Sequence, residues 1–135
     1  MEGFYIHVVD GGYTPPFEQV KLAKNNAIDV GQAMLYSDDY VNGPYDVMSE
    51  RAPTHISMCK REASGEDQMI SAVRVTPDIE FEVESTANLE LHSRAGVSGD
   101  GKTVEVADMA SMKVCTITNK EVLTGGTYKY RVRFN

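Results

Sequence analysis

The sequence predicts an all-β domain, a small β-barrel or β-sandwich with an irregular N-terminal arm and at most one or two short helical turns. Three observations carry the prediction. Ile79, Phe81 and Val83 alternate with Glu80, Glu82 and Glu84, and Tyr128, Tyr130, Val132 and Phe134 alternate with Lys129, Arg131 and Arg133. A period of two residues sends one set to a buried face and the other to a solvated face, as a half-buried strand requires. Turn chemistry punctuates the chain at short intervals, including Asp10-Gly11-Gly12, Pro15-Pro16, Asn25-Asn26, Asn42-Gly43-Pro44, Gly65, Gly99-Asp100-Gly101 and Gly125-Gly126. Helical turns are expected only over Val106–Met112 and Tyr45–Glu50, too short for the crossovers of a parallel sheet.

In chain order, strands are expected at residues 4–9, 18–23, 32–37, 54–60, 68–76, 79–85, 88–93, 103–107, 113–118 and 127–134. Residues 1–28, with Pro15-Pro16 and a less regular pattern, form an N-terminal arm or outer strands, and residues 29–135 form the barrel or sandwich domain. Pro77 has no N–H to give to a ladder, so it ends one strand before Ile79 opens the next. Leu89-Glu90-Leu91-His92 alternates like a half-exposed strand, and Val104-Glu105-Val106 does the same after Thr103.

The chain has 135 residues, the size of one domain and enough to bury a core without a disulfide or metal. A formal charge of −7 argues against a general nucleic-acid binder, which needs surplus Lys and Arg to neutralise phosphates. No apolar run approaches a membrane span, and the N-terminus shows no charged region followed by an apolar one, so neither membrane insertion nor a targeting signal is expected. Cys59 and Cys115 lack C-x-x-C spacing and read as reduced, small apolar residues; a disulfide between them stays open.

Residues 96–103, G-V-S-G-D-G-K-T, satisfy the pattern of a phosphate-cradling loop. That mechanism needs a buried parallel strand before the loop and a helix after it, whose N–H groups and Lys hold the phosphates. Alternating residues flank the segment instead, which favours a hairpin loop in which Gly99 and Gly101 take positive φ around Asp100. His7, His55 and His92 show no metal-ligand spacing, and no G-x-S-x-G elbow or local Cys-His pair is present. Asp38-Asp39 and the row Glu80, Glu82, Glu84 raise calcium, but carboxylates alternating along one strand stand about 6–7 Å apart, too wide for one ion unaided. No catalytic residue, cofactor site or metal site is expected. Tyr36, Tyr40 and Tyr45 leave a carbohydrate- or ligand-binding surface as an alternative. The candidate contacts are the two charge rows, Glu80, Glu82 and Glu84 against Lys129, Arg131 and Arg133, meeting within a subunit or between subunits.

Four segments, D-V-G-Q-A-M-L-Y (29–36), A-P-T-H-I-S-M (52–58), I-S-A-V-R-V-T-P-D-I-E-F-E (70–82) and Y-R-V-R-F (130–134), resemble the head decoration proteins of tailed bacteriophages. The likeness covers residues 29 to 134, is strongest over P-T-H-I-S-M and V-R-V-T-P-D-I-E-F-E, and leaves the first 28 residues outside it. It implies a compact β-barrel-like domain, often trimeric, made in a bacterial cytoplasm and bound to the major capsid protein on the outside of a shell. A tail, neck or fibre module is the neighbouring expectation.

Overall fold

The computed structural model describes residues 2–46, 51–98 and 100–135 and is all-β. Its strands are β1 (Tyr5–Val9), β2 (Phe17–Leu22), β3 (Ala33–Met34), β4 (Tyr36–Ser37), β5 (Tyr40–Val41) and β6 (His55–Ser57). These continue with β7 (Gln68–Arg74), β8 (Ile79–Ser85), β9 (Arg94–Val97), β10 (Val104–Glu105), β11 (Cys115–Val122) and β12 (Tyr128–Phe134). They form two six-stranded sheets, ordered β1-β8-β12-β11-β9-β10 and β3-β6-β7-β2-β5-β4.

The first sheet curls into a half-barrel. Its far strand bends back toward β8, where Thr103 Oγ1 donates to the Glu84 carbonyl at 2.6 Å and Ser85 Oγ donates to the Val104 carbonyl at 2.7 Å. The second sheet closes almost completely. Its two edge strands, β3 and β4, are separated in the chain by Leu35 alone, so the sheet must wrap round to bring both ends to one place.

Two cores follow from this geometry. Phe81, Val83, Tyr130, Val132, Phe134, Ile117 and Cys115 face inward from the first sheet and meet Val73, Ile56 and Ala33 of the second. Phe134 is the hub of this core, with the rings of Phe4 and Phe81 at 5.5 and 5.7 Å in tilted and edge-on contact. Inside the small barrel, Val20, Leu22, Ile28, Met34, Val41, Ile70 and Ala72 form the other. Neighbouring Ala72 and Val73 are both fully buried because β7 lies between the two cores and feeds one residue to each.

Several elements differ from expectation for identifiable reasons. Residues 88–93 form no strand: Leu89 is buried, its N–H donates to the Tyr130 hydroxyl at 2.8 Å, and His92 takes a left-handed φ of 67°. Alternation there arises from one core anchor on a loop, and the strand begins instead at Arg94. Asp38 and Asp39 have φ of 55° and 68° and form the two-residue turn between β4 and β5, a left-handed backbone that Asp tolerates. A three-residue 3-10 turn occupies Ala110–Met112, within the expected helical stretch. The other expected turn, between Tyr45 and Glu50, lies mostly outside the described residues.

The first 28 residues enter both sheets. β1 is an edge of the first, while β2 lies between β7 and β5. Phe4 is fully buried, and the chain beside it crosses residue 31 so closely that a Cβ on Gly3 or Gly31 would sit 3.1 Å from the other's Cα. The N–H groups of Gly3 and Phe4 donate to the carbonyls of Lys102 and Gly31, at 2.9 and 2.8 Å.

Candidate functional site

β8 and β12 pair antiparallel with Glu84 opposite Lys129 and Glu82 opposite Arg131, so the acidic and basic rows lie side by side on one face. Glu82 is the hub. Its carboxylate takes Lys129 Nζ at 3.4 Å, Arg131 Nε at 3.8 Å and His7 Nδ1 at 3.5 Å, and it is only 19 % exposed. Glu80 meets Arg133 Nε at 3.7 Å and accepts from Thr118 Oγ1 at 2.8 Å. Arg133 also donates twice to Asp10, at 2.9 and 3.0 Å. These contacts all form within one subunit. The face is therefore a mutually neutralised lattice, whose exposed members each contribute about 0–1 kcal/mol.

Residues 96–98 and 100–103 belong to the β9–β10 hairpin, with Val97 opposite Val104 and Gly96 opposite Glu105, and a strand follows where a phosphate loop needs a helix. Asp100 takes the position an anion would want: its carboxylate accepts from the Lys102 N–H at 2.9 Å and from Ser98 Oγ. Lys102 Nζ lies 3.2 Å from Asp29 and 3.5 Å from Glu2, which pushes its ammonium pKa up and holds the Asp29 carboxyl below its ordinary value. Gly101 has φ of 71°, and a Cβ there would lie 2.7 Å from the Ala33 carbonyl oxygen that the loop is packed against. Gly101 O also accepts from the Ala33 N–H at 2.7 Å, and Gln32 Nε2 donates to the Asp100 carbonyl at 2.7 Å. The loop is a clasp joining the two sheets to the N-terminus. Gly99 lies outside the described residues.

A second charged cluster escaped the sequence reading. His55 is buried at 1 % exposure in the small barrel, with Nδ1 2.8 Å from Thr54 Oγ1 and Nε2 3.5 Å from Glu18. Glu18 accepts two bonds from Arg74, at 2.7 and 2.8 Å, and Tyr36 packs edge-on against the imidazole at 5.8 Å. Burial lowers the His55 pKa below its ordinary 6.5, and the Arg74 guanidinium lowers that of Glu18 below 4.5. The only local signal was the parity of Glu18 with Val20 and Leu22; the trio forms because β6, β7 and β2 are neighbours.

His7 sits on β1, His92 in the loop before β9, and His55 on β6 of the other sheet. Among the described residues no group of three or more His, Cys, Asp or Glu side chains is placed to hold a metal ion. Cys59 and Cys115 are both free, and burial pushes the Cys115 thiol up to about 12. Tyr45 is buried and donates to the Arg51 carbonyl at 2.6 Å, so it is withdrawn from any surface shared with half-buried Tyr36 and Tyr40. No helix among the described residues is long and apolar enough to cross a membrane. No protein-family model matches the chain, and no curated protein matches it significantly.

Proposed function

We propose that this chain is a virion structural protein, a head decoration protein that binds the major capsid protein on the outside of a phage shell and works without catalytic turnover. One observation carries the structural half of this reading: the residues that offered chemistry are engaged in holding the fold. Lys102 is committed to Asp29 and Glu2, Thr103 to the Glu84 carbonyl, and Asp100 to its own loop. No buried side-chain nitrogen or oxygen among the described residues lacks a partner. A stiff block of this kind acts through its surface, and many copies on a lattice turn weak contacts into a strong total.

The assignment to a shell rests on the resemblance over residues 29–134, whose strongest segments map onto β6, β7 and β8. Those strands contribute to both cores, so the resemblance speaks to the body of the domain. The test is the location and copy number of the chain in purified particles. Many copies per shell, and heads that lose their DNA at lower temperature when the protein is removed, are the expected results. A few copies confined to the tail or neck, or absence from particles, overturns the reading.

A further inference from the structure

Residues 33–37 close the small barrel, because Ala33 and Met34 pair with β6 while Tyr36 and Ser37 pair with β5. Where the segment crosses from one neighbour to the other, a side chain makes the bond: the Tyr36 N–H donates to Thr54 Oγ1 at 2.7 Å. The same hydroxyl lies 2.8 Å from Nδ1 of the buried His55. The crossover and the imidazole therefore share one oxygen.

The hydrogen bonds assign the ring proton. Nε2 faces Glu18 at 3.5 Å, and that carboxylate, already taking two bonds from Arg74, can only accept. Nε2 therefore carries the hydrogen, and Nδ1 accepts the hydrogen of the Thr54 hydroxyl. A second ring proton makes Nδ1 a donor. The Thr54 hydrogen then loses its acceptor, and Oγ1 must accept from Nδ1 and from Tyr36 together.

The groups facing the ring come from four strands. Glu18 on β2 favours the charged imidazole, Arg74 on β7 stands opposite His55 and opposes it, Tyr36 on β4 packs edge-on, and Met34 on β3 brings no charge. Burial outweighs them and disfavours the charge. Of these covers Tyr36 is the most easily moved. It is half-buried on a two-residue edge strand, whereas Glu18 and Arg74 stand on strands of six and seven residues inside the sheet. Ser37 beside it is tied to the exposed Arg51 at 3.0 Å.

We propose that the crossover at Tyr36 is an acid-operated gate: when His55 takes up a proton, Tyr36 and Ser37 swing away from Thr54 and water reaches the imidazole, while β6, β7 and β2 stay paired. The cost of a buried charge and the reversed Thr54 hydroxyl push in the same direction. This local opening is independent of the capsid reading.

Amide hydrogen exchange of the unaltered chain tests it, with rates expressed against those of a free peptide at each pH. The Tyr36 amide should lose protection by up to about tenfold per pH unit just below pH 6.5, and should do so at urea concentrations too low to affect the amides of β7 and β8. Ring-nitrogen chemical shifts should show the Nε2–H tautomer at neutral pH. His55→Gln should abolish the pH dependence, and Thr54→Val should lower Tyr36 protection by about tenfold at neutral pH. A Tyr36 protection indifferent to pH overturns the proposal, as does exchange at Tyr36 that follows urea in step with β7 and β8, or an Nδ1–H tautomer. The exchange and shift measurements need no variant, so a substitution that fails to fold leaves the test standing.

Discussion

The outer face of the first sheet and the interior end of the small barrel both gather basic side chains around glutamate, yet they hold them in opposite circumstances. On the outer face, Glu82 serves Lys129, Arg131 and His7 at 3.4–3.8 Å, among side chains a third or so exposed. In the barrel, Glu18 stands between exposed Arg74 and a His55 that is almost wholly buried. Water screens the first cluster and largely bypasses the second partner of the other. The lesson is that the row with more ion pairs is the weaker lever on stability, and a single buried imidazole is the stronger lever on pH response.

The largest effects should come from the cores beneath these clusters. Ile117→Ala under the outer face and Ile70→Ala in the small barrel, both fully buried, should each cost about 2–5 kcal/mol in urea unfolding. Because β7 serves both cores, the transitions followed by near- and far-ultraviolet dichroism should coincide; two separate transitions would show that the regions fold independently. Next comes the clasp. Gly101→Ala combines a left-handed φ with a Cβ driven against the Ala33 backbone, and should lower stability by about 2 kcal/mol or more, read as a fall in Tm.

The pH response then separates the two charged regions. His55 has a folded pKa below 6.5, so the unfolded chain takes up its proton first as pH falls. Stability is full above pH 6.5 and is lost as pH drops from there toward the folded value, by about 1.4 kcal/mol for each pH unit of depression. Glu18, depressed below 4.5, adds a second loss only under more acid conditions. His55→Gln should flatten the upper part of the profile, and an unchanged slope just below pH 6.5 would refute the role given to the imidazole. The smallest effect belongs to the outer face: Glu82→Gln should cost less than about 1 kcal/mol at low salt and less still at high salt.

The charge rows show how much of this was legible. Period-two alternation located β8 and β12 to within a residue or so and set which side chains face out, but adjacency of the two rows depends on a pairing between segments some forty-five residues apart. The same rule misfired at Leu89-Glu90-Leu91-His92, where two leucines on a loop imitate a strand. It also passed over Arg94–Val97, because Ala95, Gly96 and Val97 are all buried and show no alternation. The hairpin at residues 96–103 could be read from context, whereas the partners of Lys102 could not, since Glu2 and Asp29 come from distant parts of the chain.

By itself the sequence determined the all-β class, the faces of the long strands and the turns, because these depend on backbone sterics and residue parity over a few neighbours. Tertiary structure decided that the second sheet closes almost completely on its own core, that Glu18, His55 and Arg74 meet, and that Tyr5–Val9 lies at an edge of the first sheet. Those outcomes depend on which strands become neighbours, and that choice is made by burying apolar surface across the whole chain rather than by any local pattern.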